Sequence, residues 1–161
     1  MLDVKTPLSK VHRAVRRIND LSTFAAKPGS WGSINTAGCI VKIAATATQP
    51  KVLKLIMGNA STNIYESNDV KVGSISTLEG YVRAAVDTDG YVQSNSTGTA
   101  LTYDQGADLT VSYTSAAIST LDLGKLMPAT INDVVVGRVE NVDTVLAQLT
   151  FETVSPHIKA A

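Results

Sequence analysis

Short stretches in which apolar and polar residues alternate dominate this 161-residue chain from Ile34 onward. The clearest of them places Leu109, Val111 and Tyr113 on one side of an extended strand, and threonine or serine on the other. Because successive side chains of a strand point to opposite faces, this alternation predicts strands with one buried and one solvent-facing side. Polar turn residues at 87–90 separate two of the stretches. Several short strands joined by such turns predict a mainly β fold, either a small β-barrel or a sandwich.

Further strands are predicted where the same period or a run of β-branched residues recurs. The candidates are residues 39–44, 52–57, 70–75, 81–86, 91–94, 101–103, 134–139 and 145–151. The polar stretches 58–69 and 94–99 predict surface loops. Residues 115–131 contain leucines at helical spacing but also a glycine and a proline, so this segment is assigned to neither a helix nor a strand.

The N-terminal segment follows a helical period instead. Thr6 and Pro7 fit an N-cap followed by proline at the first helical position, where its missing N–H costs nothing. Apolar residues then recur at three- and four-residue steps, at Leu8, Val11, Val15 and Ile18. We therefore expect a short amphipathic, basic helix over residues 7–18, followed by a Lys-Pro-Gly-Ser linker at 27–30.

The distribution of charge supports the same division, into an N-terminal basic helix and linker arm at residues 1–30 and a β-rich domain at residues 31–161. Residues 1–27 carry six basic and two acidic side chains, whereas the rest of the chain carries eight basic and twelve acidic ones. The net charge of the whole chain is zero. A chain without excess positive charge lacks the usual feature of nucleic-acid-binding proteins, so no specific nucleic-acid partner is expected.

The basic side chains of the predicted helix are candidates for partner binding: Lys10, Arg13, Arg16 and Arg17. They fit docking on an acidic protein surface, on nucleic acid or on an anionic membrane, and charge alone does not distinguish these partners. The alternative is a solvated helix face that binds nothing. Trp31, the only tryptophan, is a fifth candidate, either as an interface anchor or as a core residue at the entry to the first strand of the domain.

Motifs that would indicate catalysis are missing from the sequence. There is no Gly-x-Ser-x-Gly nucleophile motif, no glycine-rich phosphate loop and no dinucleotide fingerprint. The two histidines, His12 and His157, lie outside the predicted core, which gives little basis for a histidine-based triad or metal site. Aligning residues 87–90 with a calcium loop puts Ala85 and Ser96 where carboxylates are required. We therefore expect no catalytic, cofactor-binding or metal-binding residues, and no enzyme activity.

The cellular compartment follows from cysteine usage and hydropathy. Cys39 is the only cysteine, so no disulfide can form within the chain. No apolar run has the length of a signal peptide core or of a membrane span. We expect synthesis in a reducing cytoplasm and no contact with a membrane.

Three segments of the second half resemble the small decoration, or cement, proteins of tailed-bacteriophage heads. Those proteins show a Gly-Asp-type turn leading into a valine-rich strand, then a Val-Gly-Arg-like strand, then a closing strand of alternating apolar residues. The matching segments are Gly-Ala-Asp-Leu-Thr-Val at 106–111, Asp-Val-Val-Val-Gly-Arg-Val at 133–139 and Val-Leu-Ala-Gln-Leu-Thr-Phe at 145–151. The predicted basic helix departs from the resemblance, because many decoration proteins have only an extended arm.

The resemblance, which covers roughly residues 70–153, implies a non-catalytic structural protein of the virion that binds and stabilises the assembled capsid. It implies a homotrimer at local three-fold positions on the outer capsid surface, with an N-terminal arm over neighbouring copies of its partner, the major capsid protein. It implies no cofactor. A protein that binds the assembled lattice but not its free subunits stabilises the assembly by mass action, and this needs no catalytic group.

Three alternatives remain open at this point. A tail-tube or head-completion subunit of a phage would form rings or tubes instead of trimers. A small carbohydrate- or ligand-binding β-module would need exposed aromatic side chains near one face, and of the five tyrosines we expect Tyr81 and Tyr113 to be buried. An enzyme would need an active site that none of the known motifs describes.

Overall fold

The computed structural model describes residues 1–18, 27–58, 61–62, 73–114 and 118–161. Within these ranges the chain is mainly β, as the alternation predicts. The strands are β1 (Leu2–Val4), β2 (Arg13–Ile18), β3 (Trp31–Ile34), β4 (Ile40–Lys42), β5 (Leu53–Leu55), β6 (Ser61–Thr62), β7 (Gly73–Leu78), β8 (Arg83–Val86), β9 (Asp108–Val111), β10 (Leu126–Pro128), β11 (Val134–Asp143) and β12 (Gln148–Ile158). Two single-turn 3-10 helices cover Leu8–Lys10 and Thr120–Asp122.

The described strands form two six-stranded sheets and do not close into one barrel. Sheet A has the order β1-β8-β12-β11-β9-β10, and all of its neighbouring strands are antiparallel. Sheet B has the order β5-β3-β4-β2-β7-β6. Its β2 and β4 are parallel and, among the described residues, pair only at Ile18 and Ile40. An isolated bridge between Ile56 and Thr77 also brings the end of β5 to β7.

The two sheets share one hydrophobic core. Trp31 and Leu55 from sheet B pack in the same buried cluster as Leu109, Leu149 and Phe151 from sheet A. Fully buried aliphatic and aromatic side chains each contribute about 1.5–3 kcal/mol when removed from water, so this cluster is the main source of stability. The sheets therefore hold each other in place.

Sheet B also has a small core of its own, formed by isoleucines. Ile18, Ile40, Ile56 and Ile75 pack together and are at most 2% exposed. Successive residues of β3 face different cores. Trp31 packs in the shared cluster, whereas Gly32 faces the isoleucines. A Cβ atom at Gly32 would lie only 2.8 Å from Cγ1 of Ile40, so glycine is required there for close packing.

A polar contact joins the sheets as well. The side chain of Gln49, in the loop between β4 and β5, donates from Nε2 to the Thr110 hydroxyl at 2.7 Å and to the Val111 carbonyl at 3.0 Å. Its Oε1 accepts from the Val134 backbone N–H at 2.7 Å. One amide thus binds β9 and β11 of sheet A at the same time, which anchors a loop of sheet B across the edge of the other sheet.

The helix predicted over residues 7–18 is wrong. Leu8–Lys10 forms a single 3-10 turn, and Arg13–Ile18 is strand β2, which pairs antiparallel with β7 along its whole length. An isolated helix of about twelve residues is marginal in water, whereas pairing with β7 gives the backbone hydrogen-bond partners and buries Ile18. Three of the four apolar residues behind the helical period are β-branched, and these side chains favour strands.

The segment before residue 30 is part of both sheets. β1 pairs with β8 of sheet A, and β2 pairs with β7 of sheet B. The predicted linker at 27–30 is held by a hydrogen bond from the Gly29 N–H to the Ile56 carbonyl at 2.9 Å. Strand pairing does not by itself locate a domain boundary, so the division into residues 1–30 and 31–161 stays a prediction.

Most of the predicted strands in the described ranges are confirmed with shifted ends. Strands β4, β5, β8, β9 and β11 fall on five of the predicted stretches, while residues 91–94 form only isolated bridges and 101–103 form no strand. The last stretch begins three residues late, because residues 145–147 belong to a turn.

The predicted loop at 58–69 and the start of the stretch at 70–75 lie largely outside the described residues. The unassigned segment contributes the second 3-10 turn and β10, the latter at the outer edge of sheet A.

The turn at 87–90 is confirmed, and close packing is the reason for its glycine. The Gly90 N–H donates to the Asp87 carbonyl at 2.9 Å. Gly90 is not among the glycines with positive φ. A Cβ atom at this position would lie 2.5 Å from Cβ of Val86, so the close approach of two chain segments, and not a left-handed backbone, requires glycine.

Candidate partner-binding surface

The five candidate binding residues do not form one site. Lys10 is exposed in the first 3-10 turn, and Arg13 and Arg17 are exposed on β2. Arg16 points to the other side of β2, and Trp31 is buried on β3. The change from helix to strand is the reason, because a strand separates neighbours in sequence onto two opposite faces.

The outward face of β2 carries Arg13, Val15 and Arg17, which we call the basic strip. Both arginines are exposed, and Val15 is 73% exposed. Within the described ranges neither arginine forms an ion pair, so both guanidinium groups are available to a partner. Ser74 and Ser76 of β7 lie directly opposite Arg17 and Val15, and Leu78 lies opposite Arg13. The strip therefore combines two planar, always-charged donors with an apolar side chain on a hydrogen-bonded sheet.

Arg16 belongs to a half-buried ion network behind β2. Its Nη2 lies 2.6 Å from Oε1 of Glu79, and Nζ of Lys54 lies 2.8 Å from Oε2 of the same carboxylate. The Thr77 hydroxyl donates to Glu79 as well, at 3.2 Å. Because both oxygens of one carboxylate are engaged, Arg16 is a structural residue that ties β2 to the end of β7 and to β5.

The pKa of Glu79 reflects this network. Burial on its own would raise the pKa of the carboxyl, but hydrogen bonds from Lys54 and Arg16 and their positive charges outweigh burial. The net result is a pKa below the ordinary value of 4.5. Glu79 therefore stays ionised through the neutral range and holds both cations in place.

Trp31 occupies the core. The side chain is 6% exposed and packs in the cluster shared by the two sheets, which agrees with the second of the two roles expected for it. Its indole Nε1 is buried and has no hydrogen-bond acceptor among the described residues. A buried donor without an acceptor costs free energy.

Trp31 lines a pocket of about 160 Å³ that opens between the two sheets, which we call the inter-sheet pocket. Its apolar walls include Trp31, Leu55, Leu78, Tyr81, Val136 and Val154. Lys54 and Glu79 of the ion network lie at the same opening. Tyr81 is 62% exposed, contrary to the expectation that it is buried. It therefore stands at the mouth of the pocket.

A second, larger pocket of about 340 Å³ is lined by three lysines: Lys27, Lys42 and Lys125. Two of them already have carboxylate partners. Lys27 lies 3.2 Å from Asp89, and Lys125 lies 2.7 Å from Asp122. Most of the positive charge of this pocket is thus neutralised within the chain.

Sequence reasoning missed one exposed feature, the turn between β11 and β12. Val145 is 92% exposed and Leu146 is 66% exposed, although the alternation placed Val145 in a strand. Asp143 shapes the turn, because its Oδ1 accepts from the N–H groups of both apolar residues at 2.9 Å. An aspartate that begins such a turn is the sequence signal that could have located it.

The described residues show no arrangement that indicates a metal centre or a membrane span. No three histidine, cysteine, aspartate or glutamate side chains of this part of the chain lie together as metal ligands would. Nor does it contain a helix with the length and apolar character needed to cross a membrane. His12 and His157 are exposed, and Cys39 is buried.

The tyrosines bear on the carbohydrate-binding alternative. Tyr91 and Tyr103 are buried and pack edge to face, with ring centroids 5.5 Å apart. Burial is the main reason that the pKa of the Tyr103 phenol is raised, and its hydroxyl donates to the Val92 carbonyl. Tyr113 is half-buried, and Tyr65 lies outside the described residues. Among the described tyrosines only Tyr81 is therefore exposed as a sugar-stacking residue would be.

Comparisons of the chain with protein families, with curated proteins and with solved structures find no match. Among the described residues, the basic strip and the exposed turn present charged and apolar side chains to a partner.

Proposed function

We propose that the chain is a non-catalytic structural protein of a tailed-phage virion that binds the outer surface of the assembled capsid and stabilises it. This is the function that the resemblance of residues 106–111, 133–139 and 145–151 to decoration proteins implies. Its partner would be the major capsid protein, with homotrimers at local three-fold positions. The basic strip supports the proposal best, because a decoration protein needs a docking surface that its own fold leaves unpaired.

The strip suits an acidic, partly apolar protein surface. Arginine binds carboxylates through two parallel hydrogen bonds and is enriched at protein interfaces, and Val15 adds apolar area between the two arginines. The backbone of β2 is already hydrogen-bonded to β7, so docking would order only side chains. Repetition of this contact over a capsid would turn individually weak contacts into durable attachment.

Charge reversal at the strip tests the proposal. The variant Arg13→Glu with Arg17→Glu should bind at least tenfold more weakly to expanded heads, assembled from the major capsid protein of the phage that encodes the chain. Loss of one charge-assisted contact commonly costs about 1.5–3 kcal/mol, or roughly a factor of ten or more. Co-sedimentation of purified protein with the heads measures the affinity. Arg16 is left unchanged, because a glutamate there would face Glu79 and unfold the network.

The matched control is Lys42→Glu with Lys51→Glu. These lysines are also exposed and lie outside the basic strip, on β4 and in the loop that follows it, and their reversal changes the net charge by the same amount. The proposal requires that this control bind as the unmodified protein does. If both variants bind normally, the strip is not the docking surface. If the unmodified protein ignores heads but forms tubes, or rings of more than three copies, the tail-tube or head-completion alternative is favoured.

A further inference from the structure

The turn between β11 and β12 exposes two apolar side chains where polar ones are usual. Val145 and Leu146 are the outermost residues of the longest hairpin in the described part of the chain, and we call them the apolar tip. Asp143 holds the backbone of the turn, and Ala147 completes it in a left-handed conformation with φ of 49°. A rigid turn that presents aliphatic groups to water indicates a surface that is buried in a complex.

The inter-sheet pocket has matching properties. Its walls expose more apolar than polar surface, and its volume of about 160 Å³ is close to that of cavities of about 150 Å³ that accept benzene, so one aliphatic side chain fits. The pocket therefore suits an aliphatic turn better than a free sugar or an anion.

The tip and the pocket cannot meet within one molecule. Val136 and Val154, which line the pocket, lie toward the open end of the β11–β12 hairpin, whereas the tip is at its closed end. The seven residue steps from Val136 to Asp143 span about 23 Å at the rise of an extended strand. The apolar tip lies at one end of the hairpin and the inter-sheet pocket at the other, and this separation favours contact between separate copies.

We propose that the apolar tip of one copy inserts into the inter-sheet pocket of a second copy, so that the chains associate head to tail. Such a heterologous contact uses two different surfaces on each copy, and it closes into a ring when the rotation between copies permits. The contact deepens the proposed function by supplying the oligomer, and it rests on that function only for its use on a capsid. Association in solution can succeed or fail whether or not the protein binds heads.

Sedimentation velocity over a range of concentrations tests the contact on the full chain. The unmodified protein should gain mass with concentration, and the fluorescence of Trp31 should change in parallel, because this only tryptophan lines the pocket. The variant Val145→Ser with Leu146→Asn should associate at least about tenfold more weakly, since it loses two buried aliphatic groups. The control Leu121→Asn removes an equally exposed leucine, 86% accessible, from a different surface and should associate normally.

A mixing experiment separates head-to-tail contact from other association. Tyr81→Glu places a carboxylate at the mouth of the pocket and leaves the tip intact, so this variant alone should remain a single chain. Mixed with the tip variant, which keeps its pocket, it should form one-to-one pairs that grow no further. A single chain at every concentration of the unmodified protein, or undiminished association of the tip variant, would overturn the proposal.

Discussion

Sheet A and sheet B both contain six strands, yet they hold their strands together in different ways. In sheet A the long β11 and β12 pair along most of their length, with two register shifts, and every neighbour is antiparallel. In sheet B the longest described strands, β2 and β7, have six residues, and among the described residues β2 and β4 pair at a single position. Sheet B depends instead on the isoleucine cluster and on the ion network around Glu79. Backbone pairing thus contributes more to sheet A, and side-chain contacts contribute more to sheet B.

Truncation of a core side chain in each sheet should have the largest effect on the free energy of unfolding. The two variants should also distinguish the sheet held by backbone pairing from the sheet held by side-chain packing. Phe151→Ala removes a fully buried ring from the shared core and should lower the free energy of unfolding by about 4 kcal/mol. Ile40→Ala removes a fully buried side chain from the isoleucine cluster and should cost about 3 kcal/mol. Urea unfolding followed by circular dichroism measures both.

Hydrogen exchange distinguishes how the two variants fail. In Ile40→Ala, amides of β4 should exchange faster than those of β11 and β12, because among the described residues β4 has three pairs with β3 and one with β2. Phe151→Ala should accelerate exchange in both sheets, since its core is shared. Equal acceleration everywhere in the Ile40 variant would mean that sheet B has no independent weak point.

A smaller effect is expected from Glu79→Gln, which removes the charge at the centre of the network. The lowered pKa of Glu79 means that its contribution to stability is complete above the ordinary pKa of 4.5 and is lost as the pH falls through the lowered value. The variant should therefore be less stable than the unmodified protein by about 1 kcal/mol at neutral pH and should approach it in acid. Urea titrations near pH 7 and near pH 3 measure the difference, with the exposed Glu152→Gln as the control. A pH-independent difference would contradict the role of the ionised carboxylate.

The smallest effect concerns the turn of sheet A. Ala147 has a φ of 49°, a conformation that glycine adopts without strain. Ala147→Gly should change the free energy of unfolding by less than about 1 kcal/mol, in the stabilising direction, because relief of strain exceeds the added entropy of the unfolded chain. Thermal unfolding detects it, and Ala129→Gly, at a position without positive φ, should be destabilising instead. Two equal destabilisations would argue against strain in the turn.

Much of sheet A was predictable from alternation, because a strand with one face on the core carries its pattern in its own residues. The segments of β9 and β11 show this directly. Strand β2 was not predictable in the same way, since its apolar spacing also satisfies a helix and its partner β7 lies about sixty residues further along the chain. Long-range pairing of this kind leaves no local signal.

The candidate surface was likewise predictable only in part. Arg13 and Arg17 could be named from charge alone, but only the strand shows that they share a face with Val15 while Arg16 turns to Glu79. The inter-sheet pocket combines side chains from β3, β5, β11 and β12, and no spacing within the sequence predicts such a combination. The apolar tip depends on two hydrogen bonds that the Asp143 side chain accepts from the turn. With this turn in place, β12 begins three residues later than the alternation predicts.

The outer strands of sheet A, β1 and β10, are each three residues long, and β10 ends in Pro128. Proline has no N–H group to offer an incoming strand, and so short an edge gives a foreign chain little to pair with. Molecules crowded side by side would therefore resist merging their sheets into fibrils. If copies stand side by side at high local density, as the proposed capsid function requires, they can contact one another through side chains without joining the backbones of this sheet.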